Sequence, residues 1–288
     1  MRTLLGLMIA LHSPIAAPVV STAWLKDHLT DRDLVIIQVG RESDYTQGHI
    51  PGARYVGSEG LDGPMTATDD VMDMAHLPAP AGIRDRMAVL GITDQSHVVV
   101  VFPGRGTPNA TRAIYLMRYA GFTNASLLDG GLVAWTDAKL PITTVVPKYI
   151  AGHVSAAPSA SAGVDVTWMQ AHLTAPHIRI IDARDPSYFG GAAQPNMAMA
   201  AGHIPGAENV PYSSLFDDHG LLLSLAAIEA TFRAAGVQPG DTVVAYCHVG
   251  FQATVVVLAA RLIGQPAKMY VGSFHDWSAH HLPTEGGK

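Results

Sequence analysis

The sequence is poor in three things, and each shortage excludes a class of protein. It has one cysteine, Cys247, in 288 residues, so neither an internal disulfide nor a metal site built from several thiolates can form. It has no run of about twenty apolar residues, the length that spans a bilayer as a helix. It is short of positive charge, with 18 lysines and arginines against 24 acids and a net charge of −6. Nucleic acids and anionic membranes both require a concentrated basic surface, so neither is expected as a partner. What the chain does have is apolar content: 48% of residues are hydrophobic and 15% charged, too apolar for a disordered chain. Its length suits two cores of ordinary size better than one.

The first residues follow a recognisable order. Met1 and Arg2 give a basic start, residues 3–11 (TLLGLMIAL) are apolar, and residues 12–17 (HSPIAA) end in small side chains. Pro14 and Pro18 break any single helix through this stretch. The order is that of a secretory signal. The expectation is a signal peptide over residues 1–18, removed near Ala16 to Val19, and a periplasmic or secreted mature protein, with the cytoplasm as the alternative.

The chain repeats itself once. Trp24 and Trp168 lie 144 residues apart, as do Ile36–Ile37 and Ile180–Ile181 at the ends of strand-like runs. His49-Ile50-Pro51-Gly52-Ala53 returns verbatim at His203-Ile204-Pro205-Gly206-Ala207, now 154 apart, because the second half carries about ten extra residues before it. Asp129-Gly130-Gly131…Trp135 and Val271-Gly272-Ser273…Trp277 restore the spacing to 142. A repeat this long is a duplicated folding unit, not a solenoid. Residues 147–163 between the halves, with SAAPSASAG at their centre, read as an exposed linker. The expected division is residues 19–146, the linker at 147–163, and residues 164–288.

Within the second half, IRIID, TVVAY and KMYV read as strands, ENVPY as an extended edge piece, and residues 224–235 and 253–263 as helices. Short apolar strands without polar alternation indicate a parallel sheet covered on both faces. The fold class expected is α/β, two tandem domains, each a small parallel sheet flanked by helices.

The most informative stretch runs from Thr242 to the helix after Gln252. A hydrophobic strand ends directly at Cys247; a loop with Gly250 in its middle follows; a helix begins near Ala253. Ligands of open parallel sheets bind outside the carboxyl ends of strands. A tight loop entering a helix turns backbone N–H groups inward and favours an anion, and Gly250 permits the positive φ that such a loop uses. A cysteine at the lip of that cradle has its thiolate stabilised. Taken alone, a lone cysteine is more often a buried small hydrophobe; its position is what favours a nucleophile.

With these residues in view, the chain resembles the two-domain rhodaneses, the thiosulfate and mercaptopyruvate sulfurtransferases, over roughly residues 20–283. Tyr45-x-x-x-His49-Ile-Pro-Gly-Ala53 is similar to the family's N-terminal signature. Met269-Tyr-Val-Gly-Ser-Phe-His-Asp-Trp277 is similar to its C-terminal one, with Val271 and Asp276 as departures, and Cys247 to Gln252 resembles the six-residue active-site loop. The resemblance implies ping-pong covalent catalysis. Cys247 takes the outer sulfur of a donor such as thiosulfate and passes it from a persulfide to cyanide or a thiol. The backbone of His248, Val249, Gly250, Phe251, Gln252 and Ala253 would hold the anionic sulfur, with Gln252 or Thr254 as a further side-chain donor. Arg184, at the end of strand IIDA, matches the arginine that binds the donor's anionic end; read without the family, an ion pair with Asp185 or another acid serves equally well. Asp182 reads as an orienting group. His248 departs from both the arginine-lysine and the small-residue loops of the family. It can be cationic or neutral near pH 7, so the donor stays open, with thiosulfate favoured because Arg184 is present.

The first half has lost this chemistry: Pro103 stands in place of Cys247 and Gly40 in place of Arg184. It is expected to pack on the catalytic half and wall its cleft. His49 and His203 read as structural, and His280 and His281 as solvent-facing. The acceptor patterns at Asn109 and Asn124 read as chance matches. No cofactor and no metal is required, and the expected partners are a small-molecule sulfur donor and a thiol or cyanide acceptor, acting on a monomer. Two other readings compete: a cysteine phosphatase, although its loop would end in an arginine absent here, and a non-catalytic module that carries sulfur or senses oxidants.

Overall fold

The structure is a computed structural model that describes residues 17–57, 60–63, 76–104, 108–159, 163–193 and 199–286. The signal-peptide expectation therefore falls, apart from Ala17 and Pro18, outside the described residues. Those two are tied into the fold: Ser126 Oγ donates to the Ala17 carbonyl at 2.5 Å and Leu127 N–H to the Pro18 carbonyl at 2.9 Å.

The first half forms β1 (Val19–Val20), α1 (Thr22–His28), β2 (Leu34–Val39), α2 (Glu42–Gln47), β3 (Arg54–Val56), α3 (Pro80–Val89), β4 (His97–Val101), α4 (Pro108–Tyr119), β5 (Ala125–Leu128) and α5 (Gly131–Asp137). The second forms β6 (Gly163–Val164), α6 (Val166–His172), β7 (Ile178–Asp182), α7 (Pro186–Phe189), β8 (Glu208–Asn209), a 3-10 turn (Tyr212–Leu215), α8 (Leu225–Ala234), β9 (Thr242–Tyr246), α9 (Gln252–Leu262), β10 (Ala267–Tyr270) and α10 (Ser273–Ala279). The two sheets are parallel throughout, ordered β1-β5-β4-β2-β3 and β6-β10-β9-β7-β8. The expected fold class is borne out.

The repeat in sequence is a repeat in local chemistry. Ser21 caps α1 by accepting from Trp24 N–H at 3.1 Å, and Asp165 caps α6 by accepting from Trp168 N–H at 2.8 Å. Trp135 and Trp277 are buried, and each indole N–H donates to a proline carbonyl, Pro141 at 2.8 Å and Pro283 at 2.9 Å. His49 stacks on Tyr45 and bonds the Tyr45 and Val145 carbonyls, while His203 stacks on Phe189 and bonds its carbonyl. Both histidines hold chain to chain. His280 is exposed and lies 3.2 Å from Asp276, and Asn124 already donates its amide to the Ser96 carbonyl at 2.9 Å.

Two expectations shift. The stretch between the halves is not a free tether: Gly152 N–H donates to Ala88 O at 2.8 Å, Ser155 binds the Asp94 carboxylate, Ser159 N–H donates to Tyr119 O, and Val154 is buried. Small side chains let this segment lie against the first half, where its backbone donors find partners. Gln252, read as loop, is the first residue of α9. The halves themselves meet through α4 and α9. Thr111 and Thr254, 143 residues apart in sequence, touch hydroxyl to hydroxyl at 2.7 Å. Leu258 packs into the first core and Tyr115 into the second. Among the described residues no helix is long and apolar enough to cross a membrane.

Candidate active site

β9 is the middle strand of its sheet and is buried from Val243 onward, because Val, Val, Ala and Tyr meet helices on both faces. The chain leaves it at Cys247 and turns over Gly250, whose φ of +88° is one that a side chain would strain. That turn directs the Gly250 N–H at Cys247 Sγ, 3.2 Å away. The loop is clamped from the far side. Cys247 N–H donates to Ser273 Oγ at 3.4 Å, Phe274 N–H to the Cys247 carbonyl at 2.9 Å, and His275 N–H to the His248 carbonyl at 3.0 Å. Ser273 adopts φ +54° to do this, in the place where the first half has Gly131. Such backbone is costly for a residue with a side chain and is held by its surroundings.

The sulfur is more enclosed than expected. Cys247 is 1% exposed and packs within the second core, with Ala183 and Ala253 as fellow members. The loop folds down onto the sheet end instead of leaving the thiol at a lip. Of the amides from His248 to Ala253, the one bonded to Sγ is that of Gly250. Ala253 lies fully buried in α9, Val249 packs against the cluster that holds Tyr246, Phe274 and Trp277, and Phe251 faces Arg112. Thr254 is not a donor to the sulfur, since its hydroxyl is committed to Thr111 and to the Phe251 carbonyl.

Arg184 follows β7 beside this loop and is 1% exposed. It pairs with Asp182, not Asp185: Nε lies 3.0 Å from both carboxylate oxygens and Nη2 2.5 Å from Oδ2. Nη2 also donates to the Gly202 carbonyl at 2.8 Å, and the guanidinium lies 3.9 Å over the Phe274 ring. Burial pushes the Arg184 pKa down, but the hydrogen bonds and charge of Asp182 overcome it, with Tyr246 and Cys247 adding, so the net shift is upward. These contacts use Nε and Nη2, not Nη1. Asp182 also accepts from Arg184 N–H at 2.9 Å, which fits its expected orienting role, and Asp185 instead caps α7 through Ser187.

His248 is neutral at pH 7. Burial, then the Arg184 charge, lowers its pKa to about 4, against smaller opposing effects of Asp182 and Gln252. The cationic option is thereby removed. Its ring meets Tyr188 edge-on at 4.7 Å. His248 Nε2, Gln252 Oε1 and His275 Nδ1 are all buried without a hydrogen-bond partner. Unsatisfied polar atoms in one neighbourhood are what a polar ligand would satisfy. Asp276, one departure from the signature, accepts from Tyr270 OH at 2.7 Å. Among the described residues no cluster of three or more histidine, cysteine, aspartate or glutamate side chains could hold a metal.

Sequence reasoning missed Arg112. It comes from α4 of the first half and is 2% exposed. It grips Asp62 through Nε at 3.1 Å and Nη2 at 2.6 Å, reaches the Gly250 carbonyl with Nη1 at 3.4 Å, and lies 5.0 Å over the Phe251 ring. Its signal was a cation in the buried middle of a helix, flanked by Ala110, Ala113 and Ile114. The place in the first half that corresponds to this candidate site is closed. Gly40 abuts the Pro103 ring, where a Cβ on Gly40 would come within 3.3 Å. Gln38, in the place of Asp182, is buried with both amide atoms unpartnered. Replacing Arg112 with leucine is expected to cost about 2–3 kcal/mol in urea unfolding, because Asp62 loses its partner. It should also speed alkylation of Cys247 in the folded protein about tenfold, because the loop that covers the sulfur loses roughly one hydrogen-bonding contact and opens more readily. Unchanged alkylation would separate Arg112 from the loop.

Comparison with known proteins agrees with this geometry. A family model for the rhodanese-like domain matches residues 21–138 and again residues 165–280. The 3-mercaptopyruvate sulfurtransferase of Escherichia coli strain K12 is 32% identical over 283 residues, covering 92% of this chain and 97% of that protein. The thiosulfate sulfurtransferase of Pseudomonas aeruginosa PAO1 is 28% identical over 263 residues, covering 91% and 94%. The crystal structure of SseA from Escherichia coli superposes with a TM-score of 0.77 at 29% identity, covering 90% of this chain and 99% of that one. EanB, at 22% identity, shares the fold with a TM-score of 0.82, covering 94% of this chain and 69% of its own. The chain belongs to the rhodanese family, with the domain present in both halves, and is a sulfurtransferase.

Proposed function

We propose that the protein moves the sulfane sulfur of thiosulfate to a thiol acceptor, or to cyanide in an assay, through a persulfide on Cys247. The observation that carries this reading is the Gly250 N–H at 3.2 Å from Cys247 Sγ, at the carboxyl end of the middle strand. The Cys247 thiolate attacks the outer sulfur of thiosulfate. The donor's S–S bond breaks, a new Sγ–S bond forms, and sulfite departs with the bonding electron pair. The persulfide then bears the negative charge, and oriented amides in a site closed to water stabilise such charge without reorganising. In the second step the acceptor attacks the outer sulfur, takes it as thiocyanate or a new persulfide, and returns the Cys247 thiolate. Arg184 gives the positive charge that draws the donor's anionic end, and Nη1 is the nitrogen not committed to Asp182 or Gly202. Because Cys247 is 1% exposed, donor entry requires the cover over the sulfur to move.

A second donor is favoured by a specific observation. Neutral His248 adds no positive charge to that of Arg184, which suits a singly charged donor such as 3-mercaptopyruvate, the substrate in the name of the Escherichia coli relative. A phosphatase is disfavoured, since the first turn of α9 is Gln252, Ala253 and Thr254 and holds no arginine.

Turnover on the two donors in one preparation tests the reading. Thiocyanate should form from thiosulfate with kcat/KM about tenfold or more above that for mercaptopyruvate, and Cys247→Ser should lower it about a thousandfold. The reverse ratio selects mercaptopyruvate. Reversible thiol oxidation without turnover on either selects the non-catalytic carrier. The enzyme is read as periplasmic or secreted from the order of residues 1–18; activity in the osmotic-shock fraction is expected, and retention with the cytosol contradicts it.

A further inference from the structure

The duplication has a consequence far from Cys247. Thr111 of α4 and Thr254 of α9 are equivalent in the repeat and touch across the boundary between the halves. One helical stretch further on, Arg118 and Arg261 keep the same separation of 143 residues. Both line a cleft of about 450 Å³ together with Pro18, Thr123, Ala157 and Ser159, and none of the residues lining it is acidic. Both arginines are half-buried. Arg261 donates Nη2 to the Ala267 carbonyl at 2.9 Å and has Nε and Nη1 left over. Neither arginine forms an ion pair with an acid among the described residues. Burial lowers the pKa of both, and the charge of Arg118 lowers that of Arg261 further, which marks the two as near neighbours. Guanidinium keeps its proton in proteins, so the repulsion between the two is not relieved by titration.

Two half-buried like charges in a cleft without a counter-charge are destabilising unless an anion joins them. Guanidinium offers paired N–H donors that match the oxygens of a tetrahedral oxyanion. We propose that this cleft binds a small dianionic oxyanion of the phosphate or sulfate class, held between Arg118 of the first half and Arg261 of the second. The anion cross-links the two halves and the segment at Ala157 and Ser159, so it acts on the stability of the whole chain and not on the chemistry at Cys247.

The test is thermal unfolding of the full chain in sodium phosphate against sodium chloride of equal ionic strength. Inorganic phosphate should raise the midpoint by about 2–4 °C at concentrations well above its dissociation constant, and sulfate should act in the same direction. Arg118→Gln and Arg261→Gln should each abolish the rise. In chloride, Arg118→Gln should unfold no earlier than the parent protein, since it loses a repulsion, whereas Arg261→Gln also loses the bond to the Ala267 carbonyl; the first variant therefore separates a lost site from a damaged fold. Arg118→Lys, which keeps the charge and loses the paired donors, should retain only part of the rise. No rise beyond the chloride control, or an equal rise in both glutamine variants, overturns the proposal.

Discussion

The chemistry proposed at Cys247 depends on one hydrogen bond, from the Gly250 N–H to Cys247 Sγ. It requires a glycine at positive φ, a strand that stops at the cysteine, and a helix that starts directly beyond the turn. It also requires that the loop not relax. Ser273, Phe274 and His275 at the start of α10 hold the loop from one side, and Arg112 of the other half holds the Gly250 carbonyl. A donor aimed in advance at the place where charge will sit costs no reorganisation when the charge arrives. The strain in Ser273 is part of this arrangement, since its hydroxyl meets the Cys247 N–H from that conformation.

The two halves show what separates a site from a scaffold. In the second, Asp182, Arg184 and Cys247 gather at the carboxyl ends of β7 and β9. In the first, the corresponding residues are Gln38, Gly40 and Pro103, and the space is filled by a proline ring against a glycine. Proline has neither a nucleophile nor an N–H to offer. The first half nonetheless contributes to the site, through Arg112 and the shared packing of α4 and α9.

Much of this was legible in the sequence. The verbatim HIPGA, the paired tryptophans and the short apolar strands carried the duplication and the parallel sheets, because strand periodicity and turn chemistry are local. The strand–cysteine–glycine–helix order likewise located the loop. What was not legible depends on distance in the chain. The grip of Arg112 on Gly250 spans 138 residues, and its partner Asp62 lies 50 residues away. The choice of Asp182 over Asp185 turns on backbone direction at the end of β7, and the neutral state of His248 on burial beside Arg184. The enclosure of Cys247 follows from how far the loop folds onto the sheet, which no spacing records.

The most direct measurement is the intact mass of the protein after reaction with thiosulfate in the absence of any acceptor, followed by peptide mapping. The account predicts a gain of one sulfur atom on the peptide containing Cys247, lost again on adding cyanide with release of thiocyanate. An unmodified Cys247 under conditions where sulfur is nevertheless transferred would contradict it.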